Sequence, residues 1–340
     1  MPNPFSKVPL VIAHRGASGY HPEHTLSAYR IAVGLGADGV EPDLVATKDG
    51  VLVIRHENEI SRTTDVAAHP EFSERRTTKT VDGKVLTGWF TEDFTWDELK
   101  TLRATEPLPG IRHGNTVHDG KEPIQRFQDL LQMLDDHSPT VQVVAEVKHA
   151  SYFRSLGIHL DVLLAEALDR AGWVDDERLT VESFELSFLD RIRARGVRAR
   201  FVYLVEASGC PADDPETPYA WVRTDEGLRS LAGCVDGISV DKKLLLHKDV
   251  HGRIVTTDLV ERAHAAGLVI FCWTLRAENR FLHPQHRSGG VEWDIGNWAV
   301  EFALILESGV DAVFSDHPDL AIEVRDGIVE GRRTREAAAS

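Results

Sequence analysis

The 340-residue chain is 42% apolar and 27% charged, a balance ordinary for a globular protein that excludes a disordered or low-complexity chain. Its formal charge of -16 excludes a nucleic-acid binder, which needs a basic face to displace counterions from phosphates. Any phosphate-bearing ligand must therefore meet local positive charge, from a bound cation or from a few placed Arg and Lys side chains.

Short apolar runs at residues 10–14, 39–45, 141–148, 179–183, 200–204, 235–240, 268–274 and 312–315 read as eight strands. Between them lie helical patterns at 26–35, 160–171, 186–195, 259–266 and 298–308. Eightfold alternation predicts an α/β chain folded as a (β/α)8 TIM barrel. Such a barrel takes roughly 250 residues, so the whole of 1–340 is expected to be one domain with room for an insertion. A ninth run, 51–56, follows the second strand across Thr47-Lys48-Asp49-Gly50, and an Asp-Gly pair there predicts an antiparallel flap that carries His56 back over the barrel end. The stretch 57–140 is the insertion. It contains a hairpin at Val81-Asp82-Gly83-Lys84, an aromatic cluster of Trp89, Phe90, Phe94 and Trp96, and helices at 96–104 and 127–136. Because it follows a strand, it emerges on the face where barrel enzymes keep their sites.

Cys210, Cys234 and Cys272 have no spacing of a zinc knuckle or disulfide framework and are expected to be reduced, buried thiols. Residues 1–9 lack a basic stretch leading into an apolar one, and no run is long enough to span a membrane. A cytoplasmic location is expected unless a leader has been removed. Oligomeric state is left open.

In a parallel barrel the C-terminal strand ends converge on one rim. Here those ends carry His14-Arg15-Gly16, Glu41 and Asp43, Glu146 and Lys148, Glu182 and Ser183, Trp273, and Ser315-Asp316. Glu41 and Asp43 share a strand face across Pro42, and Glu146 stands on the next strand. Glu41 and Asp43 alone fit a salt-bridged rim equally well. With Glu146 they make an all-oxygen site for one hard divalent cation, Mg2+ or Ca2+. His14 and His56 are the candidates for proton transfer, since imidazole titrates near neutral pH. Arg15 and Lys148 supply the local positive charge, and a guanidinium forks well onto a phosphate. The turn Gly16-Ala17-Ser18-Gly19 can offer amides to the same group.

These residues resemble the glycerophosphodiester phosphodiesterase family. The likeness is carried by His14-Arg15-Gly16-Ala17, Pro22-Glu23-His24-Thr25, Gly36-Ala37-Asp38-Gly39-Val40-Glu41-Pro42-Asp43, Thr47-Lys48-Asp49-Gly50 and Val53-Ile54-Arg55-His56. Glu146-Val147-Lys148, Ser183-Phe184, Trp273-Thr274 and Asp311-Ala312-Val313-Phe314-Ser315-Asp316-His317-Pro318 extend it over nearly the whole chain. The resemblance implies a metal-dependent barrel hydrolase that releases sn-glycerol 3-phosphate and an alcohol from a small-molecule phosphodiester. It implies His14 and His56 as catalytic residues, Glu41, Asp43 and Glu146 as metal ligands, Arg15 and Lys148 at the phosphate, and Trp273 as an aromatic wall beside the glycerol. His24 stands where the family more often has Asn, and Glu57 where Asp usually follows the second histidine. Rival expectations are a lysophospholipase D-like activity, which needs the insertion aromatics to form an apolar groove, and a non-catalytic barrel that binds phosphoesters.

Overall fold

The protein is described by a computed structural model over residues 8–339; residues 1–7, on which most of the reading about a leader rests, lie outside the described residues. Side-chain alternation along extended backbone builds the fold. Ile12, Val144, Val202, Phe271 and Phe314 share one apolar cluster, whereas their chain neighbours Val11, Val143, Ile270 and Val313 belong to a second, larger one. Period two thus places the first set inside a closed sheet and the second beneath the surrounding helices.

The strands are β1 (Leu10–His14), β2 (Gly39–Glu41), β3 (Asp43–Ala46), β4 (Leu52–Ile54), β5 (Thr77–Val81), β6 (Lys84–Gly88), β7 (Gln142–Val147), β8 (Leu179–Ser183), β9 (Arg200–Val205), β10 (Gly237–Asp241), β11 (Leu246–Lys248), β12 (Ile254–Thr256), β13 (Val269–Leu275) and β14 (Ala312–Ser315). Parallel staves run β1, β2 with β3, β7, β8, β9, β10, β13 and β14. Pairing of Leu10 with Ala312 through Ala13 with Ser315 closes the ring. This is the (β/α)8 TIM barrel expected from the alternation.

The stave expected at 39–45 is divided at Pro42, which has no amide hydrogen for a ladder. β2 pairs with β1 and β7, and β3 with β7. The Pro42 carbonyl still accepts from the Glu146 amide at 3.0 Å, so both carboxylate-bearing pieces stay beside β7. Gly39 keeps this seam close, because a Cβ there would lie 2.8 Å from Ile12 Cδ1 and 3.1 Å from the Gln142 carbonyl oxygen, and the Ile12 tip would have to move. β4 folds back antiparallel on β3, pairing Leu44 with Ile54 and Ala46 with Leu52, as the Asp49-Gly50 turn predicts.

Within the insertion, β5 and β6 form the expected hairpin and a helix runs Phe127–His137. The helix expected at 96–104 is shorter, Trp96–Leu99. Longer-range bonds win: the Ala104 amide donates to the Glu122 carbonyl at 2.8 Å and the Thr105 amide to Thr63 at 3.0 Å, which draws the chain out of helical register. Elements beyond the sequence reading include the β11–β12 hairpin, the short helices Ala150–Ser155, Tyr219–Val222 and Asp225–Leu231, and a 22-residue helix, Pro318–Ala339.

The expectation of three buried thiols holds for Cys272 alone; Cys210 and Cys234 are exposed. Cys210 sits in the Gly209-Cys210-Pro211 loop beyond β9 and Cys234 in the turn before β10, and such segments run over the surface to keep their backbone hydrated. Among the described residues no helix is long and apolar enough to cross a membrane.

Candidate active site

The same alternation that packs the barrel interior builds the site. Ile12 is followed two residues later by His14, Val144 by Glu146 and, after two more, Lys148, Phe271 by Trp273, and Phe314 by Asp316. Apolar side chains therefore fill the barrel, and polar ones crown its C-terminal end. They surround a cavity of about 650 Å³ lined by His14, Arg15, Glu41, His56, Glu146, Lys148 and Trp273. Asp43, the eighth residue singled out in the sequence, is fully buried beneath this floor. The structure brings all eight to one place.

One carboxylate oxygen each from Glu41, Asp43 and Glu146 lie within 4.8 Å of one another. Glu41 Oε1 is buried without a hydrogen-bond partner, and burial together with Asp43 and Glu146 pushes the Glu41 pKa well above the usual carboxylate range. Crowded buried carboxylates with an orphan oxygen fit a hard divalent cation. The positive charge present comes from side chains. Lys148 Nζ lies 2.5 Å from Glu146 Oε1 and 3.2 Å from Asp43 Oδ1. Arg15 donates from Nη1 to Glu23 Oε2 at 2.7 Å and its Nε lies 3.3 Å from Asp43 Oδ2. Burial works against the Arg15 charge, but Glu23, Asp43 and Glu41 outweigh it. Its backbone φ is 59°, and Gly16 follows at 83°. A Cβ on Gly16 would meet Ala28 backbone at 2.7 Å, so the tight turn that aims Arg15 at the floor depends on that glycine.

His24, at the position where the family more often has Asn, is fully buried and supports the triad. Its Nε2 lies 2.9 Å from Asp43 Oδ2 and its Nδ1 2.8 Å from the Tyr29 hydroxyl. Burial lowers its pKa, leaving a neutral ring that donates its one N–H to the carboxylate.

His14 Nδ1 lies 2.6 Å from Asp316 Oδ1. Burial and then the Arg15 charge lower the His14 pKa to about 4, so the ring enters neutral, with Nδ1–H donated to Asp316 and the Nε2 lone pair left free. His56 stands two residues beyond β4, as the flap requires. Its pKa is held well below the ordinary value by burial and by Arg15 and Lys148. Glu57, next in sequence, bonds His149 Nε2 at 3.0 Å, and His149 Nδ1 bonds Asp82 Oδ2 of the β5–β6 turn at 2.5 Å. Trp273 meets Phe184 edge-on with centroids 6.0 Å apart, forming an aromatic corner of the cavity.

Sequence reasoning noted Asp316 and Glu182 at strand ends but gave them no role. Glu182 is in register with Glu146 and lines the cavity with an unpartnered Oε2. Arg112, from the insertion, was missed altogether; it donates to Asp316 Oδ2. No local pattern marks it, because its partner lies 204 residues away.

A closed parallel barrel whose rim gathers two imidazoles, three carboxylates and two cations at one cavity has the groups that a barrel hydrolase acting on phosphoesters calls for. A profile of the Glycerophosphoryl diester phosphodiesterase family matches residues 14–320, and the chain belongs to that family. It is 40% identical over 322 residues to a glycerophosphodiester phosphodiesterase of Bacillus subtilis, covering 94% of this chain and 87% of that one. To glycerophosphodiester phosphodiesterase GDPD6 of Arabidopsis thaliana it is 31% identical over 322 residues, covering 91% and 83%. The fold is shared with a phosphodiesterase of Oleispira antarctica solved in complex with the product sn-glycerol-3-phosphate, with a TM-score of 0.63, 22% identity and coverage of 94% and 97%. The chain is thus an enzyme, a glycerophosphodiester hydrolase.

Proposed function

We propose that the enzyme splits glycerophosphodiesters into sn-glycerol 3-phosphate and a free alcohol, with His14 and His56 as its proton-transfer pair. The observation that carries this reading is the placement of both imidazoles, Arg15 and Lys148 around one carboxylate floor in a single cavity. Glu41, Asp43 and Glu146 would hold one Mg2+ or Ca2+, which as a Lewis acid supplies charge neutralisation at the phosphate. Arg15 and Lys148 bind the non-bridging oxygens, and the Trp273 and Phe184 corner flanks the glycerol. One imidazole takes the proton of the attacking hydroxyl, either of water, which yields glycerol 3-phosphate directly, or of the substrate's own neighbouring glycerol hydroxyl, which yields a cyclic glycerophosphate that water then opens to glycerol 3-phosphate. The other, which takes up a proton once the phosphodiester anion lies beside it and offsets the Arg15 and Lys148 charges, gives that proton to the departing alcohol oxygen as the P–O bond breaks. Asp316 holds His14 in the tautomer whose Nε2 is free.

A small substrate suits this cavity better than a lysophospholipid. Trp89, Phe90 and Phe94 of the insertion are buried, with Phe94 packed against Phe72 at 5.1 Å, instead of lining an open apolar groove.

The test is product release from a panel of glycerophosphodiesters and lysophosphatidylcholine, with Mg2+, Ca2+ or chelator. Glycerol 3-phosphate release from the small diesters, lost with chelator, is expected. His14→Ala and His56→Ala should each lower turnover by on the order of a hundredfold or more. Near-wild-type turnover in either variant, or a strong preference for the lipid, would overturn the reading.

A further inference from the structure

We infer that the insertion supplies a positioning residue for catalysis: Arg112 fixes the Asp316 carboxylate and, through it, the ring of His14. The inference rests on the proposed role of His14 and adds what holds that ring in place.

Arg112 is buried, and its three donor nitrogens go to three different loops of the catalytic rim. Nη1 donates to the Ser18 carbonyl at 2.9 Å, beyond β1. Nε donates to Glu278 Oε1 at 2.7 Å, beyond β13. Nη2 donates to Asp316 Oδ2, beyond β14. Arg276 Nε reaches the same Oδ2 at 2.6 Å. Two guanidinium groups thus hold one oxygen of Asp316 and leave the other for His14 Nδ1 at 2.6 Å.

A carboxylate held by one partner can turn about its terminal torsion, which is broad and soft. Held from two directions at Oδ2, it presents Oδ1 along a fixed line. The imidazole that donates to Oδ1 is then fixed in tilt and in tautomer. Charge is balanced locally, since Arg112 and Arg276 face Asp316 and Glu278, so the cluster tolerates burial. Burial works against the Asp316 charge, but Arg276 and Arg112 outweigh it and hold its pKa well below the usual carboxylate range. The bond from Arg112 to Ser18 adds a second route to the same residue, because Ser18 Oγ donates to the His14 carbonyl at 2.9 Å. A residue that only stapled the insertion to the barrel would have no need of the one carboxylate that orients His14.

Misplacing a reacting group by about 1 Å can cost on the order of a hundredfold in rate, and loss of the partner that orients a metal-ligating histidine costs about 10- to 100-fold, the order expected for His14. Arg112→Ala should therefore lower kcat by about 10- to 100-fold with KM changed by less than about threefold. Guanidinium ion added to that variant should restore several-fold of the loss, because Glu278, Asp316 and Arg276 still frame the vacated space. Asp316→Asn should lower kcat to a similar degree, and adding Arg112→Ala to it should cost little more, since both act on one bond to His14. Should Arg112→Ala not fold, Arg112→Gln keeps a donor toward Ser18 and is expected to show the same kcat loss. Wild-type kcat in a folded Arg112 variant would overturn the inference. So would losses that multiply independently in the double variant, or a loss confined to KM. If His14→Ala is fully active, the proposed function fails. If His14→Ala is inactive while Arg112→Ala is not impaired, only the role of Arg112 fails.

Discussion

Burial of Glu106 in the insertion raises its pKa to about 7, although the Arg112 charge and a hydrogen bond from Asn115 at 2.8 Å offset part of the desolvation. A carboxyl group raised in this way stabilises the fold fully below its ordinary pKa near 4.5, and that contribution is lost as pH rises through 7. Between pH 5 and pH 8 the wild type should lose on the order of 2–3 kcal/mol through this one group. Glu106→Gln, which cannot ionise, should show a correspondingly shallower fall in urea-unfolding free energy over that window; parallel curves for the two proteins would contradict the assignment. At this scale the sequence showed the groups whose placement depends on strand alternation. His14, Glu41, Asp43, Glu146 and Lys148 could be set on one rim because each lies at a known parity near a strand end. Arg112 could not, since nothing near position 112 marks a residue that meets Ser18, Glu278 and Asp316 only after the ring has closed.

Among the elements, the helix Trp298–Glu307 carries a buried acid whose purpose emerges only in three dimensions. Glu301 on that helix is fully buried. It accepts from Lys242 Nζ at 2.6 Å and from the His283 amide at 2.8 Å, and its Oε2 lies 2.9 Å from His286 Nδ1. The helix is thereby tied to the segment after β10 and to the loop after β13. Glu301→Ala would leave the Lys242 ammonium buried and unpaired, and should destabilise the fold by about 3–5 kcal/mol in urea or thermal unfolding; a change under about 1 kcal/mol would show that the ion pair is dispensable. The elements themselves were legible where one local rule governed them. Period two marked the staves, and Asp49-Gly50 and Asp82-Gly83 marked two hairpins whose glycines adopt φ of 78° and 76°. The segment at 100–104 was not legible, because its chain is drawn toward Glu122 and Thr63 rather than along its own helix. Nor was Pro318–Ala339, where Gly327, Gly331 and dense charge weaken the helical pattern that packing of Ala321 against the core sustains.

For the whole molecule, the formal charge of -16 and the carboxylate floor of the barrel act in the same direction, since both are relieved by a bound cation. A divalent ion at a hundred times its Kd should add about 2.7 kcal/mol to stability. Chelation should accordingly lower the unfolding temperature by a few degrees, and Glu41→Gln should abolish most of that difference; identical melting of wild type with metal and with chelator would exclude binding to the folded state. Closure of the ring has a further consequence for the history of the chain. His14 and the Asp316 carboxylate bonded to it are 302 residues apart and meet only when β14 docks against β1. During synthesis the histidine leaves the ribosome early and must wait for nearly the whole polypeptide before Asp316 can reach it. A nick or truncation that frees β14 therefore takes from His14 its Asp316 partner, so that an unfinished copy cannot hold that ring in place.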